Sequence, residues 1–193
     1  MNHIKYFKNH LTGIEKALKT IDDSNMEVFI NYFKKPNVNV FLTGIGKNGH
    51  VSAKAVSTLN SMGIKVFYIN PVDAVHGDVG VISENDVIIA VTKSGNTEEL
   101  LNFLCHVKKR TNHICILHSN KKNKSLEFSE FDLFVEIEDE ADHLNKVPTV
   151  SIAVYTIILQ SVSCVLAEEN NLDLKSFVFN HPGGSIGKTL NNE

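Results

Sequence analysis

The sequence predicts a three-layer α/β/α sandwich, a doubly wound parallel sheet with helices on both faces, preceded by N-terminal helices. Three observations predict it. From residue 38 onward, short apolar segments alternate with stretches of helical period. Those segments are β-branched and apolar throughout, the pattern of strands covered on both sides. Two of them run straight into loops of glycine and small polar residues and then into helices.

Each element has its own signal. Ile4, Phe7, Leu11, Ile14, Leu18 and Ile21 recur at three- and four-residue steps, so the chain opens with an amphipathic helix. Asp22-Asp23-Ser24-Asn25 breaks it and offers an N-cap to a second helix over 26–33, which stops at Lys35-Pro36. Strands follow at 38–42, 65–69, 87–91, 113–117 and 133–137. Helices lie between or after them at 48–62, 96–107 and 148–169, the last stopped by Asn170-Asn171. A short helical turn follows Leu172, and then His181-Pro182-Gly183-Gly184 forbids regular helix. The chain reads as one domain over 1–193. Residues 1–35 are the N-terminal helices, 38–170 the α/β core and 172–193 the C-terminal segment.

The two glycine loops carry the first functional signal. Residues 38–49 end in Thr-Gly-Ile-Gly-Lys-Asn-Gly, and residues 87–97 end in Thr-Lys-Ser-Gly-Asn-Thr. A strand–loop–helix joint presents free N–H groups and the positive end of a helix dipole to an anion. In a doubly wound sheet such loops lie at the carboxyl ends of strands and can face one crevice. Two in one domain predict a pocket for a phosphorylated small molecule.

Composition narrows the classes. A net charge of -3 with no basic face gives no footprint for nucleic acid. No stretch reads as a membrane span, because the apolar run at 150–159 is interrupted by Ser151, Tyr155 and Thr156. Residues 1–20 are amphipathic and lack the apolar centre of a signal peptide. Cys105, Cys115 and Cys164 lie in apolar periodic segments without metal-ligand spacing, and are read as buried, reduced thiols of a cytoplasmic protein. Lys121-Lys122-Asn123-Lys124 is read as a solvated loop.

Gly44-Ile45-Gly46-Lys47-Asn48-Gly49 has the spacing of a dinucleotide fingerprint. That reading wants an acidic residue at the end of the next strand, where this chain has Asn70-Pro71. A phosphate ligand explains Lys47 better, or a proton-transfer role; an exposed loop lysine is the plain alternative. Ser94, Gly95, Asn96 and Thr97 supply hydroxyls, an amide and backbone donors suited to a phosphate monoester, and are equally ordinary N-caps. Glu99 stands three residues after Asn96 at capping-box spacing. Glu136, Glu138, Asp139, Glu140 and Asp142 crowd one strand end; an inward member such as Glu140 would serve as general acid or base. His76 and His181 are fixed in tight backbone and suit proton shuttling, while His3, His10, His106, His113 and His118 are given no role. No metal site is predicted.

Gly44-Ile45-Gly46-Lys47-Asn48-Gly49-His50, Asp73-Ala74-Val75-His76-Gly77-Asp78-Val79-Gly80 and Ser94-Gly95-Asn96-Thr97-Glu98-Glu99 occur in one order with Pro148-Thr149-Val150-Ser151 and His181-Pro182-Gly183-Gly184-Ser185-Ile186-Gly187. In these segments, over nearly the whole chain, the sequence resembles the sugar isomerase (SIS) domain family and its arabinose-5-phosphate isomerase branch. The resemblance implies a five-stranded parallel sheet of flavodoxin- or Rossmann-like type, and a homotetramer. It implies interconversion of D-ribulose 5-phosphate and D-arabinose 5-phosphate through a cis-enediol(ate), without a cofactor, supplying synthesis of the octulosonate Kdo. Catalytic positions then fall on Lys47, Glu99, Glu140 and His181, the last entering a neighbouring subunit's site. Gly46, Asn48, His76, Ser94, Gly95, Asn96, Thr97 and Thr149 fall in the substrate- and phosphate-binding set. Asn48 stands where the family usually has Ser, Lys93 where it usually has Asn, and Asn70 where many members have His. Many relatives carry paired CBS domains after this domain, so the chain is read as a short form. Two alternatives stay open: another phosphosugar as substrate, or a regulator that binds sugar phosphates without catalysis.

Overall fold

The computed structural model describes residues 3–183 and Gly187. Of the C-terminal segment, residues 184–186 and 188–193 lie outside the described residues. Five strands, β1 (Val40–Gly44), β2 (Val66–Tyr68), β3 (Val87–Val91), β4 (Ile114–His118) and β5 (Phe131–Phe134), form one sheet in the order β2-β1-β3-β4-β5. Every pairing is parallel. Helices α1 (His3–Leu18), α2 (Asp23–Asn31), α3 (Lys47–Ser61), α4 (Pro71–Ala74), α5 (Glu98–Val107), α6 (Val150–Glu169) and α7 (Leu174–Phe179) surround it.

Strand alternation divides the core in two. Val87, Ile89 and Val91 face a layer containing Leu59 of α3 and Val154, Ile158 and Val162 of α6. Ile88 and Ala90 face Leu100, Phe103, Leu104 and Val107 of α5 and Ala74 of α4. Side chains two apart share a face, so one strand serves both layers. β1, β3 and β4 are buried along their whole length. The expectation of strands covered on both faces fails at β2, where Phe67 and Tyr68 are exposed, because β2 is an edge. β5, the other edge, is also only partly buried. Its pairing ends at Phe134 rather than at the expected residue 137.

Two further expectations are corrected. α6 has the length and composition of a membrane-crossing helix, with mean hydropathy 2.0, because Ser, Tyr and Thr interrupt the run without making it polar. Half of that stretch is buried inside the protein, as in a core helix. Of the cysteines only Cys115, on β4, is buried; Cys105 and Cys164 are exposed. Each stands one residue after a buried position, Leu104 or Ser163, and one residue turns the helix by about 100° away from the sheet.

Candidate active site

Gly44 of β1 stands in register with Val91 of β3, its neighbour. Their loops therefore leave the sheet side by side. β1 continues into α3 on one face and β3 into α5 on the other, so the two loops flank the switch point, where doubly wound sheets bind their ligands. Residues 44–48 form one lip and residues 92–97 the other.

Gly46 turns the first lip at φ +58°, a conformation that glycine adopts without strain. Lys47, Asn48 and Gly49 form the first turn of α3, whose N–H groups lack helical acceptors. Among the described residues, its N-cap position supplies no side-chain cap. Lys47 is exposed. Asn48 is half-buried, and its Oδ1 is buried with no hydrogen-bond partner among the described residues.

The second lip is braced from below. Gly95 has φ +69°, and a Cβ there would lie 2.3 Å from Asn123 Cγ. Gly95 N–H donates to Thr92 Oγ1 (3.1 Å), and Asn96 N–H to Ser94 Oγ (3.3 Å). Asn120 Nδ2 donates to the Ser94 carbonyl (2.9 Å), and Lys124 N–H to Asn96 Oδ1 (3.0 Å). The 121–124 run is therefore not simply a solvated loop. Its lysines are exposed, but Asn123 is buried and sits under Gly95. Asn123 Nδ2 in turn meets His118 Nδ1 (3.0 Å), and His118 Nε2 lies 2.9 Å from Asp132 Oδ2. α5 begins at Glu98 with Thr97 as its N-cap, and the Thr97 side chain makes no cap hydrogen bond among the described residues. The capping box expected between Asn96 and Glu99 is not used, because the helix starts two residues late and the Asn96 amide is turned to Lys124. Glu99 is exposed in that first turn.

Glu140 is the acidic residue that turns inward, with its side chain 1% exposed. Oε1 accepts from Lys93 Nζ (2.5 Å) and Ser151 Oγ (2.5 Å). Oε2 accepts from the N–H of Thr149 (2.8 Å), the N–H of Ser151 (3.2 Å) and Thr149 Oγ1 (3.1 Å). The carboxylate thus closes the first turn of α6, which its own N-cap Thr149 leaves without a side-chain cap. Burial pushes the carboxyl up, but the Lys93 ammonium, the Ser151 hydroxyl and the two N–H groups outweigh it and hold the pKa at about 2. Nearby, Tyr155 OH bonds Ser119 Oγ (2.5 Å), and burial pushes its pKa upward.

The structure brings Gly46, Lys47 and Asn48 to one edge with Ser94, Gly95, Asn96, Thr97 and Glu99, and joins Glu140 to Thr149. The first turn of α6 reaches that edge too, because Glu140 joins Lys93, two residues after β3, to Ser151 at the start of α6. His76 is exposed on the turn after α4. His181 is not among them. It follows α7, its Nδ1 bonds the Phe177 carbonyl (2.6 Å), and its neighbour Asn180 bonds the carbonyl of Ser61, the last residue of α3. The 15 residues of α3 separate that end from Lys47 by about 21 Å at 1.5 Å per residue. A cavity of about 670 Å³ between α1 and the 136–145 loop is lined by Lys8, Lys16 and Glu140, but by neither glycine lip.

With this geometry in place, comparison with known proteins decides the family. Residues 32–165 match the SIS domain. The chain belongs to the SIS domain family. An arabinose 5-phosphate isomerase KdsD of Francisella tularensis is 32% identical over 98% of the chain and 58% of the relative. An arabinose 5-phosphate isomerase KpsF of Escherichia coli is 29% identical over 92% of the chain and 54% of the relative. The chain thus spans just over half the length of these curated relatives. An Escherichia coli CFT073 protein in complex with arabinose 5-phosphate superposes with a TM-score of 0.86 at 26% identity, over 92% of this chain and 94% of that one.

Sequence reasoning on this SIS domain missed Lys93, His118, Asn123 and Ser151. Lys93 carried a usable signal: it is a charge at the end of an apolar strand, directly before Ser94. Ser151 lies in the Pro148–Ser151 segment that carries the resemblance, whereas His118 and Asn123 had no signal, because their partners lie 14 and 5 residues away across turns.

Proposed function

We propose that the chain is an aldose–ketose isomerase that interconverts D-ribulose 5-phosphate and D-arabinose 5-phosphate through a cis-enediol(ate), and so feeds Kdo synthesis. The observation that carries this reading is the Gly44–Val91 register, which sets two open, glycine-turned helix starts beside the buried Glu140. The names of the KdsD and KpsF relatives and the arabinose 5-phosphate complex of the CFT073 protein support the same substrate class.

The chemistry follows from the substrate. A base takes the proton from the carbon beside the carbonyl, and an acid returns one to its neighbour. The carbonyl is the electron sink, so the reading calls for no cofactor. The phosphate lies against residues 94–97 and the α5 N-terminus. Its binding energy fixes the carbon centre near the proton carriers. Lys47 offsets the enediolate charge. Glu99 and His181 handle protons, each contributing about a hundred- to ten-thousand-fold. Glu140 is held at about 2 and so is ionised near neutral pH, and it enters the reaction as a carboxylate and not as an acid.

His181 lies at the far end of its own α3, which supports a homotetramer in which it enters a neighbour's site. One SIS domain spanning the chain and a cytoplasmic location complete the reading. The test is an isomerase assay over pentose, hexose and heptose phosphates. Ribulose 5-phosphate should give the aldose fastest, and turnover of none of the panel overturns the reading. Mixing and reassembling His181→Ala with Glu99→Gln should restore activity that neither has alone. Mixtures as inactive as their parts would remove the shared site.

A further inference from the structure

We propose that Lys93 is a positioning residue of this site: its ammonium clamps the Glu140 carboxylate against the first turn of α6, and the pair acts on the sugar as one fixed dipole. The inference rests on the isomerase reading and deepens it, since neither the loop motif nor the acidic cluster assigns Lys93 a part.

A carboxylate offers about four lone-pair sites. Glu140 accepts from five groups, three on Oε2 and two on Oε1. No acceptor site is left for a proton unless a donor withdraws. Four of the donors belong to Thr149 and Ser151, at the start of α6. The fifth, Lys93 Nζ, is at the end of a flexible stem and carries the one full positive charge among them. It is also the donor that solvent reaches, with the side chain 38% exposed against 1% for Glu140. Lys93 therefore controls both the charge and the aim of Oε1.

The backbone gives the clamp its link to the ligand loop. Lys93 lies between Thr92 and Ser94, and its carbonyl accepts from Ser119 N–H (3.2 Å). A ligand held by residues 94–97 thus lies one residue from the clamp. An asparagine at this position, as the family pattern has, would reach less far and carry no charge. The low pKa of Glu140 agrees with this geometry.

Among the described residues, Lys93 is the cation that the structure bonds to Glu140. From its own loop, Glu140 is accompanied by Glu136, Glu138, Asp139 and Asp142, and from α6 by Tyr155. Lys8 and Lys16 of α1, and Lys19 just after it, line the adjoining cavity, but Lys16 bonds Glu138 (3.4 Å) and Lys19 bonds Glu15 (2.6 Å). None of the three bonds Glu140.

The experiment compares the full chain with Lys93→Met and Lys93→Arg. The Glu140 carboxyl is titrated by carbon-13 NMR, assigned through Glu140→Gln, and kcat/KM for ribulose 5-phosphate is followed across pH. Loss of the ammonium should raise the Glu140 midpoint by about 1 to 3 pH units. The acid limb of kcat/KM should move up with it, kcat should fall at least tenfold with KM little changed, and Lys93→Arg should restore both. A Glu140 midpoint that stays put in Lys93→Met overturns the proposal. So does a raised midpoint with an unchanged kcat and pH profile in an active enzyme. If the unsubstituted chain turns over no phosphosugar, the isomerase reading and the positioning role both fall; the titration then decides the clamp alone.

Discussion

Helices α2, α4 and α7 begin on side chains that close their first turn, whereas α3 and α5 begin open. Asp22 accepts from Asn25 N–H, Asn70 from Val72 N–H and Asp173 from Ser176 N–H. Gly46 has no side chain to offer, and that of Thr97 makes no cap hydrogen bond. The closed starts satisfy donors that would otherwise be left bare, and so favour the fold. The open starts forgo that gain at the one edge where an anion can complete them. α6 is intermediate: its first turn is closed, but by Glu140, which Lys93 holds from across the site. Helix starts that close within a few residues serve stability, and under the proposed function the starts left open, or closed by a distant group, serve the ligand.

The largest effect should come from breaking the intermediate case. Glu140→Ala uncovers the Thr149 and Ser151 donors and leaves Lys93 without its acceptor. Isomerase activity should fall on the order of a hundred-fold or more. Chemical denaturation should show a loss of about 1 to 3 kcal/mol. An active, equally stable variant would dissolve the contrast between α6 and its neighbours.

The charge itself gives a second test. Glu140 ionises more readily folded, at about 2, than at its ordinary value of 4.5. The folded state therefore binds fewer protons than the unfolded chain in this window. The stabilisation is present above about 4.5 and is lost as pH falls towards about 2. Urea titrations at pH 7, 4 and 3 should show stability declining over that range, and Glu140→Gln should flatten the decline.

Opening the comparison further, Gly95→Ala places a Cβ against Asn123 at a positive φ. The loop must shift. KM for the phosphosugar should rise about tenfold or more. The strain should cost about 1 to 3 kcal/mol. A variant that binds substrate normally would free the 94–97 loop from the phosphate role. The smallest effect belongs to the closed starts. Asp22→Ala should lower the melting temperature slightly and leave kcat/KM unchanged, and lost turnover there would tie α2 to the site.

Much of this was legible in the residues. The β3 segment 87–91 is read with its observed bounds, because a run of Val-Ile-Ile-Ala-Val admits no other reading between polar flanks. The acidic strand end at 136–142 was also readable, as was the pairing of glycine loops with helix starts, but that one acid, Glu140, turns inward was only a condition there. The start of α5 was not, because Asn96 can cap a helix or brace a loop, and the choice depends on Lys124, 28 residues away. The burial of Cys105 and Cys164 was misread for a related reason: both stand in apolar segments, and only the rotation of each helix against the sheet turns them outward.

By itself, then, the sequence determined the elements, their alternation and the chemical character of each loop, since these rest on period, turn residues and contacts a few positions apart. The tertiary structure alone decided which loops share an edge, that Glu140 pairs with Lys93, and that His181 lies an α3 length from the site on its own chain. Those facts arise from register and packing between residues far apart in the chain, where the free energy depends on who meets whom in space and no local pattern records it.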